Sequence, residues 1–186
     1  MARNPRLLGR LLALFALLAA LALPGAAAAQ EPYTFTAGIL GGAGGSADSG
    51  FRDFSNTGFQ LDLAMITETS TQVGFRFGRL NLDHGGSFGT LTGANLEYVT
   101  VGGEYRFQES YYESGLFLAL GGYRLSGTPP AGGSVSHTSV GLSLGVTGEF
   151  RIQRHLGVIV EFSGHYADLK EAKLFAMGHA GLAVHF

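Results

Sequence analysis

Apolar and polar positions alternate along most of this chain. The pattern is clearest at the C-terminus. Phe186, Val184, Leu182, Ala180, Gly178, Ala176 and Leu174 fall on one face, and none is charged. His185, Ala183, Gly181, His179, Met177 and Phe175 fall on the other. A period of two marks a β-strand whose faces meet unlike surroundings. Seven earlier segments share this habit: 33–44, 58–66, 72–82, 94–107, 114–125, 138–150 and 156–166. In the sixth, Val140, Leu142, Leu144, Val146 and Phe150 oppose Ser139, Gly141, Ser143, Gly145, Thr147 and Glu149. The third loses its phase at Arg79-Leu80, which predicts a bulge or the end of its apolar face. The fifth is apolar on both faces, so its orientation stays open. Each segment has roughly the 9–11 residues that a tilted strand needs to cross a bilayer. Pro129 and Pro130 fall between segments, where no ladder hydrogen bond is lost.

A last strand that stops on an aromatic, here Phe186, resembles the closing strand of bacterial outer-membrane β-barrels. The resemblance implies that the C-terminal strand is read by the barrel-assembly machinery. The connections agree with it. Those at 66–71, 108–113 and 151–155 are short, whereas those at 45–57, 83–93, 126–137 and 167–173 are longer and rich in Gly, Ser, Asp or Pro. An even-stranded barrel with both termini in the periplasm has three short turns and four longer outer loops. Tyr33, Phe35, Tyr105, Phe107, Phe150 and Phe186 fall at the periplasmic strand ends, where an aromatic girdle sits. The pattern therefore predicts an all-β fold: an eight-stranded antiparallel up-and-down transmembrane β-barrel. It is similar to the small OmpA/OmpX-type barrels over the whole of residues 30–186.

Residues 1–29 read as a cleavable signal peptide. Arg3, Arg6 and Arg10 precede an apolar stretch over 11–23, too short to span a bilayer as a helix. Ala27-Ala28-Ala29 offers a small-residue cleavage site before Gln30. Cleavage there leaves 186 − 29 = 157 residues, one domain by length, and no Cys that could carry a lipid anchor or a disulfide. Removing three arginines and no acids moves the formal charge from −2 to −5, which argues against a nucleic-acid partner. Glycine accounts for 30 of the 186 residues and charged residues for only 14%. That composition is too apolar for disorder and too interrupted for transmembrane helices, whereas a closed sheet satisfies every backbone group in lipid.

With the apolar faces outward, the lumen receives Asp62, Arg76, Glu104, Arg106, Glu149, Glu161, His165 and His179. Eight strands enclose a space that side chains can fill. Buried charges there need partners. Arg76 and Arg106 are expected to pair with members of the set Glu104, Glu149 and Glu161. This reading gives a structural plug and a surface or envelope role, with outer-membrane lipid and lipopolysaccharide as surroundings, a monomer, and no cofactor. A narrow or gated pore lined by the same residues is the first alternative.

Glu161, Ser163 and His165 alternate on one strand face and hold the residue types of a hydrolase triad. Outer-membrane lipid A deacylases use Ser, His and Glu, but their Ser lies two residues after the His, and Ala167 stands there. Residues i and i+2 are also ~6.6 Å apart along a strand, long for a Ser–His hydrogen bond. No enzyme is expected. His165 and His179 could approach across strands but lack a third metal ligand, so no zinc is expected. Gly41-Gly-Ala-Gly-Gly45 is followed by neither Lys nor a helical pattern, and reads as outer loop rather than phosphate loop. Lys170 and Lys173 near the outer rim could meet lipopolysaccharide phosphates or simply be solvated. The competing fold is a soluble periplasmic barrel of lipocalin type, apolar inside. It would leave the charged and glycine-rich face outside and give the terminal Phe no role.

Overall fold

The computed structural model describes residues 34–48, 50, 55–68, 70–82, 87–108 and 112–186. The expected signal peptide and Tyr33 lie outside these residues. Eight long strands dominate: β1 (Phe35–Ser46), β2 (Ser55–Glu68), β3 (Thr71–Asn81), β5 (Leu91–Gln108), β6 (Tyr112–Thr128), β7 (Val135–Gln153), β8 (Leu156–Ala167) and β9 (Leu174–His185). β4 (Ser87–Phe88) is a two-residue rung in the connection before β5. All pairings are antiparallel, and each long strand pairs with its neighbours in sequence. β1 pairs with β9 from Thr36↔His185 to Ser46↔Phe175, so the sheet closes on itself.

The register gives the barrel's geometry. Paired residues traced once round the wall from Ala167 run through Gly141, Gly121, Thr100, Arg76, Asp62, Gly38 and Ala183 to Gly157, a displacement of ten residues (167 − 157 = 10). With ordinary strand rise and spacing, a ten-residue stagger over eight strands tilts them by about 40°. Ten residues at that tilt span about 25 Å, the height of an outer-membrane apolar band.

The apolar face is outside. Leu116, Leu118, Leu120, Val140, Leu144 and Phe162 are all more than half exposed. This settles β6: its three leucines point out, while Phe117, Ala119, Tyr123 and Leu125 are buried. β3 keeps its alternation through Arg79 and Leu80, with no register shift against β5. Of the two expected outcomes at that point, the end of the apolar outer face is the one found. Gly41 to Gly45 lies within β1 and not in a loop, which corrects the reading of that run. Gly42 and Gly44 serve close packing: a Cβ on Gly42 would collide with the His179 ring, and one on Gly44 with the Ala176 carbonyl.

β5, β6 and β7 continue past the rim where the other strands stop. β8 ends at Ala167↔Gly141, while β6 and β7 remain paired out to Gly127↔Val135. Gly132 and Gly133 turn this hairpin at φ values of 82° and 84°, in the left-handed region that favours glycine.

Candidate functional site

The lumen is the only place where charge is buried in quantity among the described residues, and it is built in four tiers. At the barrel end that carries Thr34 and Phe186, Arg106 of β5 reaches Glu149 of β7 at 2.8 Å and Glu113 of β6 at 3.3 Å. Arg151 meets the other oxygen of Glu113. His185 of β9 contacts Glu149 at 2.5 Å through Nε2, and its Nδ1 lies 3.0 Å from the Thr36 hydroxyl of β1. These contacts tie the last residues of β9 to β1 and β7 at the seam. Phe186 completes the tie: its carbonyl accepts from the N–H groups of Thr34 and Phe35, and its N–H donates to the Phe35 carbonyl.

At the waist, Arg76 of β3 donates to Glu161 of β8 at 2.8 Å and to Glu104 of β5 at 2.9 Å. Its guanidinium also lies 3.8 Å from the Phe117 ring centroid, a cation–π contact. Glu161 accepts from Gln60 at 3.1 Å, and Glu104 from Thr147 at 2.6 Å. Both carboxylates therefore have partners on two strands. Fully buried groups of this kind carry a large penalty if one partner is removed.

Above the waist the polar contacts change character. Tyr98 donates to Gln60 at 2.5 Å and stacks on Tyr123 with ring centroids 6.0 Å apart. The Tyr123 hydroxyl lies 3.0 Å from His165 Nδ1, and His165 Nε2 lies 2.9 Å from Ser163 Oγ. The sequence argument that Ser163 and His165 stand too far apart to bond is thus overturned. A strand step separates their Cα atoms, but both side chains lean along the strand and close the gap. Glu161 does not join them, because its oxygens are taken by Arg76 and Gln60. Ser163 is 5% exposed and His165 2%, so both lie buried in the lumen.

The outermost tier is apolar. Leu80, Leu82, Phe88, Leu91, Leu96, Leu125, Leu169 and Phe175 form a buried cluster across the outer mouth. Phe88 stacks on Phe175 at 6.5 Å. Loops are fastened over this cluster. Asp48 accepts from the N–H groups of Lys173 and Leu174 at 2.6 and 3.0 Å, and these bonds hold its carboxyl below the usual carboxylate range. Thr90 donates to Glu171 at 3.3 Å.

Of the eight lumen residues read from the sequence, seven are buried: Arg76, Glu104, Arg106, Glu149, Glu161, His165 and His179. Asp62 faces Arg76 across β2 and β3 but is only half-buried, and its Oδ1 has no hydrogen-bond partner. His179 faces Glu161 across β8 and β9, with both ring nitrogens unbonded. No group of three or more metal-ligating side chains occurs among the described residues. Phe35, Tyr105, Phe107 and Phe150 are each about half exposed at the ends of their strands nearest Phe186, joined by Tyr112. Phe186 is half-buried at the seam. Lys173 is engaged by Asp168 at 2.8 Å, which raises its pKa, while Lys170 is exposed. Glu113 and Arg151 escaped the sequence reading because they sit where turns were drawn. The signal that could have found them is the phase of β6 and β7, which continues one or two residues beyond those limits.

No protein-family profile and no curated protein matches the chain. Solved structures do. Neisserial surface protein A superposes with a TM-score of 0.63 at 14% identity, covering 83% of this chain and 97% of its own. A major outer membrane protein of Thermus thermophilus gives 0.63 at 13% identity over 84% and 100%. The N-terminal β-barrel domain of Pseudomonas aeruginosa OprF gives 0.60 at 9% identity over 83% and 100%. In fold, this chain is an eight-stranded closed barrel similar to the small outer-membrane barrels of the OmpA/OmpX-like kind.

Proposed function

We propose that the protein is an integral outer-membrane barrel of a Gram-negative-type cell, exported by the signal peptide of residues 1–29 and working as a monomer in envelope structure or surface contact. One observation carries this reading: the sheet is apolar outside and ion-paired inside. Leucines at 53–61% exposure on β6 and β7 would aggregate in water, while Glu149 and Glu161 at 0% could not line an open water channel. The apolar tier at the outer mouth closes the lumen, and the ion pairs fill it below. The barrel's work then falls to its outer rim and loops, with outer-membrane lipid and lipopolysaccharide around the belt and the assembly machinery engaging β9. Neighbouring folds include Ail, the attachment invasion locus protein of Yersinia pestis, which fits a surface role.

Two measurements test the proposal. The protein stays with membranes through carbonate extraction; release into the soluble fraction would restore the soluble-barrel alternative. Purified protein in planar bilayers gives no stable unit conductance steps; reproducible steps would replace the plug with a pore. The lipid A hydrolase alternative predicts acyl loss on expression that Ser163→Ala abolishes, and the burial of Ser163 predicts no such loss.

A further inference from the structure

The outward face of β6 and β7 carries one interruption. Between Tyr112 and Arg124 the outward residues of β6 are Ser114, Leu116, Leu118, Leu120 and Gly122, and those of β7 from Val140 to Phe150 are apolar throughout. Ser114 is thus the one polar side chain in this stretch of the wall, and it pairs with Gly148, which has no side chain. These two small residues floor a hollow of about 330 Å³ walled by Phe107, Leu116, Val146 and Phe162. Tyr112 leans into it: a Cβ on Gly148 would lie 2.8 Å from the Tyr112 hydroxyl. We propose that this hollow binds one diacyl glycerophospholipid of the leaflet at the Phe186 end, with an acyl chain against Gly148 and the ester carbonyls accepting from Tyr112 and Ser114. The proposal rests on the outer-membrane reading above.

Three features support a phospholipid as the occupant. The first is unmet hydrogen bonding. A hydroxyl in an apolar medium needs an acceptor. The backbone around these two is already in the ladder: Ser114 pairs with Phe107 and Gly148, and Gly148 with Val160. Neither hydroxyl is bonded within the described residues. Two adjacent donors match the two adjacent ester carbonyls of a glycerol backbone. The second is depth. The Tyr112 ring lies 4.7 Å from that of Phe150, its pair partner in the aromatic girdle, where headgroups give way to hydrocarbon. Interfacial tyrosines turn their hydroxyls to the wet side. Tyr112 instead turns its hydroxyl over Gly148, one pleat further into the apolar wall than Phe150. The third is charge. Arg151, in contact with Glu113 between the two hydroxyl residues, and the exposed Arg154 continue the β7–β8 hairpin on the headgroup side, where they complement a phosphate.

The test removes the carbonyls from the lipid and the donors from the protein. The folded protein, checked by heat-modifiable gel migration, is held in tetraethylene glycol octyl ether micelles. It is titrated with dimyristoyl phosphatidylethanolamine or with the di-O-tetradecyl ether analogue, which lacks both carbonyls. Native mass spectrometry reads the bound lipid. One ester lipid per barrel is retained about tenfold more tightly than the ether lipid, as two neutral hydrogen bonds allow. Tyr112→Phe with Ser114→Ala leaves the hollow open and brings the ester lipid down to the ether level. Gly148→Leu fills the hollow and lowers retention of both lipids. Equal retention of the two lipids by the unaltered protein, or an ester preference that survives the double variant, overturns the proposal. Should Gly148→Leu fail to fold, the double variant decides alone. Equal retention of both lipids sinks this site and leaves the outer-membrane reading intact, whereas retention of neither counts against both.

Discussion

Arg76 is the buried cation at the waist of the barrel, so its loss is the sharpest test of the lumen. Arg76→Met keeps much of the side-chain volume and the contact with Phe117. It removes the 2.8 Å bond to Glu161 and the 2.9 Å bond to Glu104. Glu161, at 0% exposure, is left with one neutral donor, Gln60. Glu104 keeps Thr147 at 2.6 Å and a distant Arg106 Nε at 3.8 Å. Removing one partner from a buried pair costs about 3–5 kcal/mol, because it strands a charge away from water. Glu161 takes most of that cost. Adding Glu161→Leu removes the stranded charge, and the double variant is expected to recover at least about 2 kcal/mol of the loss, a coupling of the size seen for residues in contact. Urea unfolding of the vesicle-inserted barrel, followed by far-UV circular dichroism, measures both. A loss below about 1 kcal/mol for Arg76→Met would mean that water reaches the waist, and the filled-lumen reasoning would fall.

Gly78 faces the Tyr98 ring closely enough that even a Cβ would collide with it. Gly78→Val therefore destabilises the barrel by about 1–3 kcal/mol or more, and Tyr98→Leu in the same chain relieves much of it; the same urea titration reads both. Asp48 provides a pH test outside the membrane. Its carboxyl is held below the ordinary value of 3.8 by the Lys173 and Leu174 N–H groups. The loop contact is therefore fully present above pH ~4 and is lost as pH falls through the lowered value. Amide chemical shifts of Lys173 and Leu174 should move in that acid range, and Asp48→Asn should flatten the change.

Period-two patterning was enough to read eight strands, their short and long connections and the outward face of most of them. It worked because lipid outside and packed polar groups inside impose opposite demands on adjacent residues. It failed for β6, where Phe117 and Tyr123 are as apolar as Leu116 and Leu118. The inward aromatics there fill space left by Gly145 and Gly141 on β7, and only the register shows that. The buried charges were legible as residue types on one face, but their partners were not. Arg76 pairs with residues 28 and 85 positions away, a choice set by the barrel's stagger. The contact between Ser163 and His165 was missed for a different reason: Cα spacing does not bound the separation of side-chain tips.

One pattern in β3 predicts where a membrane boundary lies. In β3, Phe75 points outward and Arg76 inward; two turns of the pleat later, Arg79 points outward and Leu80 inward. The alternation has not slipped. Its hydrophobic sign has inverted. β5 and β6 invert at the residues paired with these: Glu97 and Arg124 are outward, Leu96 and Leu125 are buried, and Arg79↔Glu97↔Arg124 run as neighbours across three strands. In a bilayer-inserted barrel the outside would meet lipid below that row, where the inside holds ions, and water above it, where the inside holds an apolar seal. The row should therefore lie at the outer headgroup level. The chain contains no cysteine, so single cysteines at 75, 79, 97, 99, 120 and 124 can be spin-labelled without background. Labels at 75, 99 and 120 should be relaxed mainly by oxygen dissolved in lipid, and those at 79, 97 and 124 by a water-soluble nickel chelate. If the water-accessible signal instead begins below 75, 99 and 120, then Val99 and Leu120 lie in water, and the inverted row marks loop packing with no relation to the bilayer.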